Sequence, residues 1–250
     1  MADNVFEVFL EKAGNMPGIR VDRDEYLRKT FRGKHRAILD DIIEKGPLAA
    51  GISKEEVGRI ADQAISAEAV QTTLVSAGTG VFGGFAMVAT VPADIVQFYG
   101  HIFRVMQKLM YLYGWKDDIF DGNGSMDDTT KNVLILYMGV MFGVKAASKL
   151  IAQIASQAAK RLLRDVPVRV IKAFFTKRAA REVIIKIVKT VGIRTTMKMT
   201  ASASSKFVPV IGAVTSGTFT AAFFLPMSKR LKKQLADGQV FDDEEDESDE

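Results

Sequence analysis

The chain has no cysteine and only two histidines, His35 and His101, among 250 residues. The first absence excludes disulfides and thiolate chemistry, and the two together remove the usual zinc constellations, so neither a metal nor a cofactor is expected. A chain without cysteine is in keeping with a reducing interior. Alternation of strands with helices is also lacking. Gly78-Thr79-Gly80-Val81-Phe82-Gly83 fits G-x-G-x-x-G, but that fingerprint needs a strand before it, a helix opening at it and an acid at the end of the next strand. Pro92 interrupts any helix opening there within about ten residues, and close helix–helix approach through small residues is the better account. The opening MADNVFEVFLEKAG carries Asp3, Glu7 and Glu11 where a secretory signal carries positive charge, so export is not expected.

Formal charge is missing from two stretches, Ala69–Ala93 with 25 residues and Phe207–Ser228 with 22. Each is long enough to cross a bilayer, which takes about 20 apolar residues. Their content argues against it: Gly78, Gly80, Gly83 and Gly84 with several threonines dilute the first, and Pro209, Gly212 and Gly217 interrupt the second. A glycine inside a helix costs roughly 1 kcal/mol relative to alanine. The same glycines let backbones approach closely, and the two runs are expected to pack against each other at the centre of the fold.

Between Pro92 and Gly114 the pattern predicts one long helix. Ile95, Phe98, Tyr99, Ile102, Phe103, Met106, Leu109, Met110 and Tyr113 form its apolar face, while Asp94, Gln97, His101, Arg104 and Lys108 share the other. That polar face is the candidate functional surface. Asp94 and His101 return to nearly the same side but stand about 10 Å apart along the axis, too far for a direct acid–base dyad. A structural polar seam is therefore preferred to a hydrolase-type cleft at Asp94, His101 and Arg104.

The remainder also has helical spacing. Val5, Phe6, Phe9 and Leu10 suggest a short amphipathic helix; Asp22 or Asp24 can cap a solvated connector helix carrying Tyr26, Leu27 and Phe31; Ser53 and Glu56 have capping-box spacing. The loop from Trp115 to Asp128 is acidic enough to suggest calcium, but it lacks the glutamate at the twelfth ligand position of an EF-hand. Asp127 or Asp128 is expected to cap the next helix, with a break near Gly139 or Gly143. Arg181–Gly192 is rich in β-branched residues, which keeps a strand as runner-up to the helix its spacing favours. The fold class is all-α: an N-terminal helical extension over 1–36, one multi-helix domain over 37–236 built around the two glycine-rich segments, and a disordered acidic tail over 237–250.

Charge is segregated. The final DDEEDESDE holds eight acids and no base, so the rest of the chain carries all 34 bases and only 22 of the 30 acids. Lys172, Lys177, Arg178, Arg181, Lys186 and Lys189 make a basic surface suited to anionic lipid or to a protein partner. Nucleic acid is the weaker alternative, because no aromatic-interleaved recognition motif accompanies these bases.

The glycine-rich run, VPADIVQFYGHIFRVMQKLMYLYGW after it, and KFVPVIGAVTSGTFTAAFFLPMSKRLKKQL near the end together resemble the EcsC-like bacterial protein family, over roughly residues 40 to 236. The resemblance implies a mostly helical cytoplasmic domain, encoded in some bacteria beside transporter components. It brings no established enzymatic activity and no catalytic residue. The expectation is a non-enzymatic accessory or regulatory factor for a membrane process such as transport, peripheral at the inner face of the membrane, with an integral protein as the alternative.

Overall fold

The computed structural model describes residues 6, 9–10, 12–16, 18–76, 93–159, 175–204 and 211–239, with side chains omitted at 72–76, 93–97, 157–159, 195–204, 211–222 and 238–239. Gly78, Gly80, Gly83, Gly84, Lys172 and the acidic tail lie outside the described residues. So do the side chains of Asp94 and Gln97. The described chain is all-α: α1 Arg23–Phe31, α2 Leu39–Lys45, α3 Lys54–Ser76, α4 Ala93–Leu112, α5 Asp128–Met141, α6 Lys145–Ala159, α7 Arg178–Ser204 and α8 Ile211–Gln239. The runner-up strand at Arg181–Gly192 is helical, within α7, and Thr195–Ser204 continues that helix. Among the described residues no helix is long and apolar enough to cross a membrane.

Local chemistry sets the ends. Asp22 opens α1 by accepting a hydrogen bond from Glu25 N at 2.7 Å, and Asp127 opens α5 by accepting from Thr129 N at 2.8 Å and Thr130 N at 3.2 Å. Half of the expected capping box forms, since Ser53 Oγ accepts from Glu56 N at 3.2 Å. The Glu56 carboxylate instead accepts from Lys34 Nζ at 2.8 Å and meets His35 Nε2 at 3.1 Å, a tertiary use of a residue that local spacing assigns to the cap. At the end of α4, Trp115 N reaches Met110 O and Gly114 N reaches Tyr111 O; at the end of α5, Val144 N reaches Gly139 O and Gly143 N reaches Val140 O. Both are Schellman closures, and the φ values of 96° at Gly114 and 72° at Gly143 are those the motif requires. The expected break therefore falls at Gly143.

The helix α8 is the spine. It lies along α3 most extensively and also touches α4, α5 and α6; α3 packs on α4, and α7 covers α5 and α6. From Ile211 onward the second uncharged run is helical, and α8, which contains that part, packs on both helices that flank the first run. Gly212 and Gly217 lie within α8, in the part whose side chains are not described.

Ahead of α1, Phe6 and Phe9 pack tilted against Tyr99 with ring centroids 5.2 Å away, Phe9 meets Phe103 edge-on at 5.2 Å, and all four belong to one core. One expectation needs correction, because α1 is not a solvated connector. Arg23, Leu27 and Phe31 are buried, with the Arg23 guanidinium donating to Trp115 O at 2.9 Å and Ile43 O at 2.7 Å. Those two carbonyls and the Asp24 carboxylate at 2.9 Å meet the polar demand of a buried arginine, which is otherwise costly.

Candidate functional site

At His101, Arg104 and Lys108 the polar face of α4 is covered rather than open. His101 is 2% exposed and Gln107 fully buried, because another helix and the chain entering α1 close over them. From α3, Glu68 enters with no exposure and gathers three groups that helical spacing places on one side of α4. His101 Nδ1 stands 3.2 Å from Glu68 Oε2, Arg104 Nε donates to Oε1 at 3.1 Å and Lys108 Nζ to Oε1 at 2.5 Å. Residues 18–21 form the remaining wall. Arg104 Nη1 donates to Gly18 O, Gln107 Nε2 to Ile19 O at 2.8 Å, Val21 N to Gln107 Oε1 at 3.0 Å and Tyr111 Oη to Val21 O at 3.2 Å. Lys108 Nζ also stands 6.0 Å over the Tyr26 ring, within reach of a cation–π attraction.

Burial by itself would raise the Glu68 pKa. The His101 hydrogen bond and the Lys108 and Arg104 charges outweigh it and hold the carboxyl down to about 2. Such a group is ionised throughout the neutral range and is a weak proton acceptor there, whereas a general base works best with a pKa near the operating pH. The cluster can lock α3, α4 and the 18–21 segment together. A substrate reaching Glu68 or His101 would have to displace packed side chains, since both are buried.

The acidic loop uses two exposed carboxylates on backbone N–H groups. Asp121 Oδ1 accepts from Asn123 N at 2.9 Å and Ser125 N at 2.7 Å, and Asp118 Oδ1 accepts from Arg23 N at 3.3 Å. These carboxylates shape the loop and dock it on α1.

The second candidate surface is open. On α7, Arg178, Arg181, Lys186 and Lys189 are all exposed, as is Lys177 just before it. Ala180, Ile187, Val188 and Val191 on the opposite face are buried. Within the basic row stand Ile185 at 54% and Ile193 at 50% exposure. Glu182 is the acid there, paired with Arg178 at 3.0 Å.

Sequence reasoning named His101, Arg104 and Lys108 but missed Glu68, their common partner. A signal existed: Val57, Ala61 and Ile65 lie on the apolar side of α3, and Glu68 continues their three- and four-residue spacing. A carboxylate in an apolar stripe demands a buried cation. Arg23 and the exposed Ile185 and Ile193 were also missed, since patterning alone cannot say which face a neighbour covers. No family model, curated protein or solved structure matches the chain.

Proposed function

We infer that the protein is a non-enzymatic helical module that docks peripherally on an anionic membrane surface through α7, as an EcsC-like accessory or regulatory factor for a membrane process such as transport. The observation that carries this reading is the exposure of Ile185 and Ile193 inside the row of Arg178, Arg181, Lys186 and Lys189. Large apolar side chains left in water cost burial energy, about 1.5–3 kcal/mol for a whole isoleucine. A membrane interface recovers it, while each nearby Lys or Arg gains about 1 kcal/mol from anionic lipid. A purely solvated basic helix gains nothing from the isoleucines, and the hydrolase-type alternative at Asp94, His101 and Arg104 draws no support from a His101 and an Arg104 already engaged by Glu68 and Gly18.

Vesicle co-sedimentation tests the reading. Wild type should pellet with phosphatidylserine vesicles, remain free with phosphatidylcholine, and be released by salt as screening shortens the reach of the charges. Ile185→Ser with Ile193→Ser should weaken binding without changing its salt dependence, whereas Arg181→Glu with Lys186→Glu and Lys189→Glu should abolish it. Undiminished binding by the charge-reversed protein, or no binding by wild type, removes the proposal. Retention by membranes after salt and carbonate washes favours the integral alternative instead.

A further inference from the structure

At the corner between α5 and α6, two arginines from different helices converge on one turn. Arg194 of α7 donates from Nη1 to Phe142 O, and Arg230 of α8 donates from Nη1 to Met141 O at 3.2 Å. Their Nη1 atoms lie 3.9 and 3.7 Å from the place a Cβ on Gly143 would occupy, so they are no farther apart than the sum of those distances. Gly143 has no side chain to fill the space between them, and its φ of 72° favours its remaining glycine.

A guanidinium has five N–H donors in a rigid fork, and each carbonyl bond uses one. Both arginines are exposed, and among the described residues no carboxylate pairs with either. The carbonyl end of α5 offers about half a negative charge against two whole positive ones. Lys145, also exposed, comes two residues after Gly143. The corner is thus strongly cationic, with its donors anchored at one end and open at the other.

The geometry points to a site for a phosphate monoester, held between the forks of Arg194 and Arg230. Such a group is nearly dianionic and presents three acceptor oxygens, and arginine forks match phosphate in shape as well as charge. The source we commit to is a lipid headgroup that ends in a bare phosphate, because Arg194 follows the exposed Ile193 in α7 and turns from it by about 100° towards the α5–α6 corner, so the arginine pair flanks the basic and apolar face rather than lying on it. In that respect the inference rests on the membrane-docking reading and refines it: α7 supplies general attraction, and the arginine pair selects the headgroup.

The test uses the full chain and an Arg194→Lys, Arg230→Lys double variant, which keeps both charges but loses the forks. One arm compares phosphatidic acid with phosphatidylserine vesicles matched in total negative charge. The other titrates glycerol 3-phosphate into lipid-free wild type and follows the arginine Nε–H resonances. Wild type should prefer phosphatidic acid by about tenfold, the equivalent of one charge-assisted hydrogen bond, and glycerol 3-phosphate should shift two arginine resonances that the variant lacks. The variant should bind both vesicles alike. Equal vesicle binding by wild type with no resonance shift overturns the arginine site and leaves α7 docking intact. Shifts at other arginines only, or a preference unchanged in the variant, also overturn it. Glycerol 3-phosphate binding at these arginines without binding to any vesicle sustains the phosphate site, assigns it a soluble ester and removes the membrane reading.

Discussion

Glu68 shows what a single buried charge commits its neighbours to. Glu68→Ala should destabilise by about 3–5 kcal/mol, because it leaves the Arg104 and Lys108 charges without their counter-ion; chemical denaturation at neutral pH measures this. The same cluster sets a pH dependence. A folded pKa of about 2 against an ordinary 4.5 means that the unfolded chain takes up the proton first. The stabilisation is present in full above the unfolded value and fades as pH falls towards the folded one, on the order of 3 kcal/mol in all. Glu68→Gln should be less stable at neutral pH and lose less on acidification, and parallel acid limbs for the two proteins would sink the assignment. Gly14 gives a steric counterpart: a Cβ there would stand 1.8 Å from Gly124 O and 2.5 Å from Phe120 Cδ1, whereas one on Gly122 meets nothing within 4 Å. Gly14→Ala should therefore cost about 1–3 kcal/mol by overpacking, with Gly122→Ala as a near-neutral control in thermal melts.

At the level of elements, burial departs from what amphipathicity implies. The two-faced pattern of α4 is genuine, yet Tyr99, Phe103, Val105, Gln107, Tyr111 and Leu112 are all buried. Its polar side can leave water because α3 and residues 18–21 supply hydrogen-bond partners. The pairing of α5 with α6 and α7 depends on close approach at Gly139, where a Cβ would lie 2.8 Å from Ala147 Cβ and 2.9 Å from Ile187 Cδ1. Ile187 can rotate but Ala147 cannot. Gly139→Ala is expected to lower stability by about 1–2 kcal/mol despite its better helix propensity, and a melting temperature raised by the substitution would contradict the packing.

For the whole molecule, Phe6, Phe9 and Leu10 near the N-terminus belong to the core, whereas the composition of the last residues differs in kind. Removing residues 1–16 takes Phe6, Phe9 and Leu10 from the core, and each deleted phenylalanine carries a cost of about 3–5 kcal/mol. Losses of that size approach the 5–15 kcal/mol that holds a typical domain folded. The truncated chain should lose its cooperative melt, as followed by circular dichroism. The acidic end carries eight acids in DDEEDESDE and is suited to compete with lipid for the bases of α7. Deleting 242–250 should tighten binding to phosphatidylserine vesicles at low salt, where screening is weak, and leave it unchanged at high salt. Equal binding at low salt with and without the tail removes the competition.

The sequence by itself determined the all-helical class and the glycine stop after α4, and it narrowed the caps to Asp22 or Asp24 and Asp127 or Asp128 and the break to Gly139 or Gly143. These depend on hydrogen bonds and steric limits within a few residues, and on the three- and four-residue spacing of apolar side chains. It also brought His101, Arg104 and Lys108 to one side of a helix, since that needs only helical geometry. What covers that side was decided by tertiary structure: Glu68 lies on another helix and the 18–21 segment far earlier in the chain. The diversion of Glu56 from its cap to Lys34 and His35, the entry of Phe6 and Phe9 into the core, and the convergence of Arg194 with Arg230 have the same origin. A residue's own neighbours in sequence specify which groups it can satisfy locally, but burial and charge pairing depend on which distant surface arrives, and only the packed molecule sets that.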